Sequence, residues 1–527
     1  MNVAFDSWIP VVTTTGEQNL TSLCDVLAEG RQYADLAVRP HERVALMRLL
    51  LCVSHAGLDG PRDYDEWRHV PSRLPEAVRE YLSKWKESFE LFHPTRPWLQ
   101  VAGLEKNGDG PASDLLIRGW TLVSKLNFSF ATGNNTTLLD HAGLAADRTF
   151  EIGETLLWML TFQCFSPGGL IAQVYWNSRV TGKSSKDAPC VQASMIHAFL
   201  RGATVQETIH LNLPTHEDIR LIYGDRAIGK PVWEMMPASM EDAAAVDNAT
   251  ATYVGRLVPM TRLIRLDPFG ARMLLGDGLV YPVFASGFPP EPSATVMTRR
   301  RGGKDEERAL LSYRPSEAIW RELPAMVVKR NAGGLGGPLC LGSLRDGEDC
   351  DLVAAALARD RAKATILDST ESVFHVPSRL RSSEGAAAYE SEVKTAENLA
   401  SRLGWAVETY RQETDQGWEG RLKAAGPGKG ELKAKLRSLA ATHFWTTVER
   451  NVPLLMAHVQ AVGTEAADPT RKAWRKMLTA AALESFRAAC GQSTPRQMRA
   501  FAKGWQRLAG GPGEPEADTP KSKEENA

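Results

Sequence analysis

The chain has neither the long apolar run of a membrane protein nor the leader of a secreted one. No stretch of its 527 residues reaches the roughly 20 apolar residues that span a bilayer. Met1 to Asp6 include no basic segment followed by an apolar one, so they predict no signal peptide. The seven cysteines are odd in number and form no C-x-x-C pair, which argues against a zinc ribbon or a disulfide scaffold. We therefore expect a cytoplasmic protein with reduced thiols and no membrane contact.

Signatures of catalysis are also missing. Gly182-Lys183-Ser184 resembles the end of a phosphate-binding loop, but Asn177 replaces its first glycine. Neither His41-Glu42 nor His216-Glu217 has a second histidine four residues after the first, and no G-x-S-x-G motif occurs. The sequence thus predicts no catalytic residue, no metal site and no cofactor, and therefore a protein that is not an enzyme. A metal-dependent nuclease or hydrolase with an unrecognised site is the alternative.

Charge is balanced overall and unevenly distributed. The formal net charge is −1, yet residues 379–510 contain 21 lysines and arginines against 13 acidic residues. A basic C-terminal third indicates a polyanionic partner, although a solvated helical surface has the same composition. Within it we name four candidate phosphate contacts, Arg471, Lys472, Arg475 and Lys476.

The apolar pattern divides the chain into two parts and a tail. Residues 1–372 mix short strands with helices and show no βαβ rhythm. Residues 373–510 hold four segments rich in Ala, Leu, Lys, Arg and Glu, separated by Gly and Pro, which predict a four-helix bundle. Residues 511–527 have nothing apolar beyond alanine and predict a disordered tail. The expected class is α+β, with a large irregular mixed N-terminal domain followed by a C-terminal four-helix bundle.

Several elements can be placed more closely. His41 to His55 predicts a core helix, and Pro75 is typical of the first position of another. Strands are expected at Thr252–Val258, Arg262–Leu266, Val280–Phe284 and Ala294–Arg299.

Pro167-Gly168-Gly169 follows an apolar helical segment, Phe150 to Phe162. Proline ends the helix, and the glycines permit positive φ and a close approach of the backbone to another surface. Because Lys183 and Lys186 follow, this turn could present backbone amides to a polyanion. A simple C-capping turn is the alternative.

A second stretch, Leu357 to Leu367, places three cations in five positions between apolar flanks. This pattern is typical of a protruding basic turn, and a solvated surface run is the alternative. We expect Ile366 and Leu367 to anchor the turn to the core.

Taken in order, these stretches resemble the CasA family, the large subunit of the type I-E CRISPR surveillance complex, Cascade. The resemblance covers nearly the whole chain. It rests on Asp6-Ser7-Trp8-Ile9-Pro10-Val11, Phe89-x-Leu91-x-His93-x-x-x-Pro97-Trp98-x-Gln100, Pro167-Gly168-Gly169, Arg201-Gly202, Leu266-Asp267-Pro268, Lys363-Ala364-Thr365-Ile366-Leu367 and His443-Phe444-Trp445-x-x-x-Glu449.

The resemblance implies a non-catalytic subunit of a crRNA-guided complex. Its partners would be the backbone, small and guide-end subunits of that complex, double-stranded target DNA and a helicase-nuclease. Such a subunit reads a short protospacer-adjacent motif (PAM) in the duplex and starts strand separation, while guide pairing reads the long sequence. A protein-interaction scaffold whose basic bundle only binds partners is a further alternative.

The resemblance also assigns residues. The family's glycine loop at the minor groove corresponds to Gly168, Gly169, Leu170 and Ile171. Its wedge, which props the first base pairs apart, falls on Arg359, Asp360, Arg361 and Lys363. Its loop near the 5′ end of the guide falls on Phe130 to Asn135, including Thr132 and Asn134.

Two departures from the family pattern stand out. The family's minor-groove lysine has no counterpart here, since no lysine occurs between Lys230 and Lys304. The corresponding region is Leu275 to Leu279, and the cation nearest to it is Arg272. Lys363 stands where the wedge has a glutamine, and an ammonium cannot replace the hydrogen bonds of an amide.

Overall fold

The computed structural model describes residues 1–106, 120–130, 150–225, 228–279, 281, 289–300, 306–360, 365–415 and 428–510. The chain divides into two compact units, Met1–Val376 and Pro377–Ala527. The first unit extends past the expected residue 372, because the last strand pairs with its neighbour as far as Val376. The predicted tail, 511–527, lies outside the described residues.

The first unit mixes helices and strands, as expected. Its described helices are α1 (Leu23–Ala28), α2 (Pro40–Leu58), α3 (Tyr64–Lys84), α4 (Ile152–Phe165), α5 (Val205–Asn212), α6 (His216–Tyr223), α7 (Ala243–Ala251), α8 (Tyr253–Leu257) and α9 (Leu323–Met326). Its described strands are β1 (Ile9–Thr13), β2 (Gln18–Thr21), β3 (Tyr33–Leu36), β4 (Leu104–Lys106), β5 (Thr121–Leu122), β6 (Gly169–Leu170), β7 (Val174–Trp176), β8 (Arg179–Val180), β9 (Ser184–Ser185), β10 (Ile196–Arg201), β11 (Arg262–Leu266), β12 (Arg272–Asp277), β13 (Val296–Arg300), β14 (Glu306–Leu310), β15 (Cys350–Arg359) and β16 (Ile366–Val376).

The strands form small antiparallel sheets. Their orders are β2-β1-β3, β10-β15-β16, β11-β12-β5, β4-β7-β8, β13-β14 and β6-β9. Every pair of named strands among the described residues is antiparallel, which fits the absence of a βαβ rhythm in the sequence. The long hairpin of β15 and β16 keeps its register until an irregularity between Ala358 and Arg359.

Helices α2 and α4 lie at the centre of the core. Both are buried on nearly all sides, because α2 packs against α3, α4, α8 and the β15–β16 hairpin. A helix that is apolar around its whole circumference is typical of such a position. The packing of α4 therefore fixes the point at which the chain leaves the core, just before Pro167.

A buried ion cluster joins α2 to the segment before β13. The guanidinium of Arg48 pairs with Glu291, whose second carboxylate oxygen lies 3.1 Å from Nε of Arg256. Ser293 Oγ lies 3.2 Å from Glu291 and 2.8 Å from Nδ1 of His197. Burial alone would raise the pKa of Glu291, but Arg48 and Arg256 lower it to about 2.

The described part of the second unit is helical. Its helices are α10 (Ser383–Asp415), α11 (Gly428–Arg450), α12 (Val452–Ala461), α13 (Ala467–Ala489) and α14 (Pro495–Ala509). α10 packs against each of the other four. One of the four predicted helical segments is divided at Asn451, where a new helix begins with Pro453 in its first turn. Within the described residues, no helix combines the length and the apolarity needed to cross a membrane.

Two local predictions were wrong. Thr252–Val258 is not a strand, since the Thr252 side chain accepts a hydrogen bond from the N–H of Gly255 and caps α8. Pro75 does not begin a helix, because α3 starts after its cap at Asp63.

Helix α3 accommodates two internal prolines through contacts with α5. Pro71 and Pro75 lack the N–H groups that would bond the carbonyls of Trp67 and Pro71. His210 Nε2 instead donates to the Trp67 carbonyl at 2.9 Å, and the Gln206 amide donates to the Pro71 carbonyl at 3.0 Å. Side chains far along the sequence thus supply the missing donors.

The other strand predictions fared better. β11 coincides with the predicted Arg262–Leu266, and β13 overlaps Ala294–Arg299. Of the predicted strand Val280–Phe284, only Tyr281 is described.

Candidate nucleic-acid interface

The glycine turn, residues 167–171, follows the end of α4. Ser166 ends the helix with extended backbone angles, and its N–H bonds the carbonyl of Phe162. The chain then runs antiparallel to residues 183–190, through the pairing of β6 with β9 and a bond from the N–H of Ile171 to the carbonyl of Lys183. The glycines are therefore part of a short strand pair and do not form a left-handed helix cap.

Both glycines are required by contacts within the chain. A Cβ on Gly168 would lie 2.8 Å from the carbonyl oxygen of Ser185 and 2.9 Å from the backbone nitrogen of Asp187. Gly169 has φ of +146°, a conformation that L-residues rarely adopt. The sequence predicted that the backbone of this turn approaches another surface closely. In the structure the facing strand is one such surface.

One carboxylate joins the glycine turn to the long hairpin. Asp187 Oδ1 accepts the N–H of Gly168 at 2.8 Å and forms an ion pair with the guanidinium of Arg359 at the end of β15. The N–H of Arg359 also donates to Ser194 Oγ at 3.1 Å. Arg359, predicted as a DNA contact, is thus held inside the unit, with only 13% of its side chain exposed.

A buried arginine lies beneath the turn. Arg262, at the start of β11, donates to the carbonyls of Pro167 at 3.2 Å and Lys186 at 2.8 Å, so it fixes both strands of the turn. Burial lowers its pKa to about 10, an effect that Asp277, 4.0 Å away, partly offsets. The side chain therefore keeps its charge at neutral pH.

The outward surface of the turn is apolar and cationic. The Leu170 side chain is 89% exposed, whereas Ile171 packs against the core. Lys183 and Lys186 are exposed, and the Lys186 ammonium donates to the carbonyl of Tyr281 at 3.1 Å. Such a surface offers contacts to a polyanion without any catalytic group.

The stretch Leu357 to Leu367, predicted as a basic turn, begins in β15 and ends in β16. The N–H of Asp360 bonds the carbonyl of Thr365 at 2.8 Å and joins the two strands at this end of the hairpin, called here the hairpin tip. Arg361 and Lys363 lie outside the described residues. Ile366 packs against the core as expected, but Leu367 is 60% exposed and does not anchor the turn. The two side chains differ because successive residues of a strand face opposite sides.

Comparison with known proteins finds relatives that match nearly the whole chain. The sequence profile of "CRISPR-associated protein Cse1" matches residues 2–485. The chain belongs to the Cse1 family. A CasA/Cse1 protein of Thermus thermophilus is 28% identical over 97% of this chain and 98% of its own length.

Solved structures agree on the fold. Cse1 from Acidimicrobium ferrooxidans has a TM-score of 0.73 at 20% identity, over 97% of both chains. A chain in a structure described as a CRISPR RNA-guided surveillance complex has a TM-score of 0.70 at 19% identity, over 97% of this chain and 99% of that one. The resemblance drawn from the sequence motifs is confirmed.

In this Cse1 chain, the loop predicted to lie near the guide begins at a packed aromatic. Phe130 stacks on Phe150 with ring centroids 5.4 Å apart and meets the edge of Trp158 at 5.5 Å. Thr132, Asn134 and Asn135 lie outside the described residues.

The four named cations of the Cse1 second unit lie on α13 and are not equivalent. Arg475 forms a bidentate ion pair with Glu392, whose side chain is 2% exposed. Arg471 pairs with Asp468 at 2.5 Å. The Glu392 contact raises the pKa of Arg475. Lys472 and Lys476 are exposed and have no acidic partner in the described part of the chain.

Sequence reasoning missed the residues that hold the turn. Neither Asp187 nor Arg262 is part of a recognisable sequence motif. In the sequence each is only a charged residue beside an apolar segment. The region of the family's absent lysine contains Asp277, whose pKa burial raises above its ordinary value, an effect that Arg262 partly offsets. Among the described residues no group of three or more His, Cys, Asp or Glu side chains forms a metal cluster.

Proposed function

We propose that this chain is the non-catalytic large subunit of a crRNA-guided type I-E Cascade complex. In that role it recognises the PAM in double-stranded DNA, starts strand separation and recruits a helicase-nuclease. Family membership supports the placement in Cascade, since a structural relative belongs to a CRISPR RNA-guided surveillance complex. Its other partners would be the backbone, small and guide-end subunits.

The observation that best supports PAM reading is the shared carboxylate of Asp187. It bonds both Gly168 and Arg359, so the exposed turn is held against the end of β15. Preorganised contacts bind with a smaller entropy loss than mobile ones. Neither segment includes a side chain arranged for acid–base chemistry, which fits recognition without cleavage.

The proposed residue roles follow from this arrangement. Gly168, Gly169, Leu170 and Ile171 approach the minor groove, and the hairpin tip with Arg361 and Lys363 enters where the duplex first opens. Unstacking a base step costs a few kcal/mol, which inserted protein groups partly offset. Lys183 and Lys186 are exposed cations beside the turn and would supply phosphate attraction there.

The test is to reconstitute the crRNA complex with and without this chain. We expect the chain to be required for tighter binding of a PAM-bearing duplex than of the same duplex with the motif scrambled, with no DNA cut when Mg²⁺ or Mn²⁺ is present. Equal binding of the two duplexes would refute PAM reading. Metal-dependent cleavage by the chain alone would favour the nuclease alternative.

A further inference from the structure

The exposed indole of Trp405 lies next to two guanidinium groups on the second unit. The tryptophan, on α10, is 54% exposed. Cζ of Arg437, on α11, lies 5.7 Å from the ring centroid, and Cζ of Arg507, on α14, lies 5.6 Å from it. Both distances fall within the range of cation–π attraction. Three helices therefore converge on one exposed aromatic ring.

These guanidinium groups have no carboxylate partner within the described residues. Arg437 donates to a backbone carbonyl at 3.4 Å, and Arg507 donates to the hydroxyl of Thr409 at 3.2 Å. Arg402, one helical turn before Trp405, donates to the carbonyl of Leu508 at 2.8 Å. All three keep their full positive charge and retain donors for an external anion.

Some other cations of the same unit have a carboxylate partner. Lys503 of α14 pairs with Glu413 at 2.6 Å, and Arg475 pairs with Glu392. The cations beside Trp405 differ from these two because they contact the ring and leave their charge open to an external anion.

We propose that Arg402, Trp405, Arg437 and Arg507 form a binding site for single-stranded nucleic acid, called here the tryptophan site. Unpaired bases expose faces that stack on aromatic rings and on guanidinium planes, while the phosphates between them attract the cations. A duplex hides its base faces and would use only the charges. The site contains no residue of the glycine turn, so it goes beyond the function proposed above.

The test uses the full chain and a fluorescein-labelled oligo-dT of about 15 nucleotides, the upper range of a single-domain binding site. Fluorescence anisotropy gives the Kd. We expect Trp405→Ala to weaken binding about tenfold, since one stacked base contributes on the order of that factor, and Trp405→Phe to restore most of it. An abasic strand of the same length should bind the wild type and Trp405→Ala equally, because it has no base to stack.

Two matched variants separate charge from stacking. Arg437→Gln with Arg507→Gln should reduce the slope of log K against log salt by about 1.4, which corresponds to two phosphates of a single strand. Lys503→Gln removes a paired cation of α14 and should leave the slope unchanged. Met498→Ala, at a 58% exposed side chain of α14, should leave the Kd unchanged.

Three results would overturn the proposal. Wild-type affinity in Trp405→Ala, or an equal loss of affinity for the abasic and the base-bearing strand, would exclude stacking. Binding of poly-glutamate that depends on Trp405, without such dependence for oligo-dT, would assign the site to an acidic protein segment. Failure here is distinguishable from failure of PAM reading, because the latter is measured with PAM-bearing duplex and variants of the glycine turn.

Discussion

Arg359 forms an ion pair with the same oxygen of Asp187 that accepts the N–H of Gly168. The arginine is the last residue of a long strand, and the glycine follows a core helix. Because both bond one carboxylate, a change in the position of either segment alters the other. The glycine turn and the end of β15, which the sequence analysis treats as two separate DNA contacts, are therefore joined through one carboxylate.

Removing the shared carboxylate tests this coupling. Asp187→Ala leaves the Gly168 N–H and the Arg359 guanidinium without their acceptor, so we expect a loss of about 1–3 kcal/mol in the free energy of unfolding and weaker binding of PAM-bearing duplex. Asp187→Asn keeps an oxygen for Gly168 and should lose less. Urea denaturation and duplex titration of the assembled complex give the two quantities. Adding Arg359→Ala to Asp187→Ala should cost less than the sum of the single effects; strict additivity would contradict the coupling.

The surface of the glycine turn can be tested without disturbing its packing. Leu170→Asp introduces a negative charge at an 89% exposed side chain, so it should weaken PAM-dependent binding while the chain folds normally. Leu221→Asp, at a 45% exposed position on α6, is the matched control. Normal binding by Leu170→Asp would mean that the turn does not face DNA.

Gly168→Asp should abolish PAM recognition while the complex still assembles. It acts in two ways, because an added side chain meets Ser185 and Asp187 as well as blocking an approaching backbone. Gly103→Asp, where a Cβ would meet nothing within 4 Å, is its control. Recovery of normal PAM binding in the assembled Gly168→Asp complex would disprove the assignment.

The hairpin tip should matter most when the duplex must be opened. Alanine at Arg359, Arg361 and Lys363 together should slow R-loop formation more on fully paired DNA than on a target with a PAM-proximal bubble. Since Arg359 is bound to Asp187, the Arg361 and Lys363 double variant isolates the tip itself. Rates of R-loop formation on both substrates are the readout. Equal slowing on the two substrates would leave only general phosphate attraction.

Charge reversal on α13 should separate binding from stability. Lys472→Glu with Lys476→Glu should reduce the magnitude of the salt slope for duplex DNA by about 1.8 if both contact phosphates, at about 0.9 for each. Arg475→Ala should instead destabilise the second unit by about 1–3 kcal/mol, because it leaves the buried Glu392 without its partner. An unchanged slope in the lysine variant would show that α13 does not contact DNA.

Because of Glu291, we expect the first unit to lose stability over a defined range of acidic pH. Its pKa is about 2 in the folded chain against an ordinary 4.5, so its stabilising effect is complete above pH 4.5 and is lost as the pH falls toward 2. Glu291→Gln should lose about 3–5 kcal/mol at neutral pH and lack that portion of the acid transition. Glu317→Gln, in an exposed pair with Arg314, should differ from wild type by less than about 1 kcal/mol. Unfolding by urea at several pH values measures both, and a parallel acid transition in Glu291→Gln would contradict the assignment.

The sequence was sufficient for the family, the mixture of helices and strands, and the elements with strong local signals. Helix α2 is apolar on most faces, and β11 is a short run bounded by turn residues. The error at Thr252 came from a local helix cap, whereas the error at Pro75 involves a distant side chain. Pro75 lies inside α3 only because Gln206 bonds the carbonyl that the proline leaves free, and no pattern near residue 75 signals that contact.

The candidate site shows the same limit. Glycines and clustered cations are visible in a sequence, whereas the partner of each cation is not. Arg359 and Lys472 both read as free basic residues, yet the first is held by Asp187 and the second is exposed. Only the fold distinguishes a cation that positions backbone from one that faces solvent.

The close fit at Gly168 also affects how this family's history can be interpreted. Any descendant that retains the pairing of residues 167–171 with residues 183–187 needs a residue without a Cβ there, whether or not it still meets DNA. Invariance of this glycine would therefore record selection for folding and for recognition without separating the two. Leu170 touches solvent and is under no such folding constraint. Under the proposed function, variation at the Leu170 position among relatives would therefore be the better record of what the turn recognises.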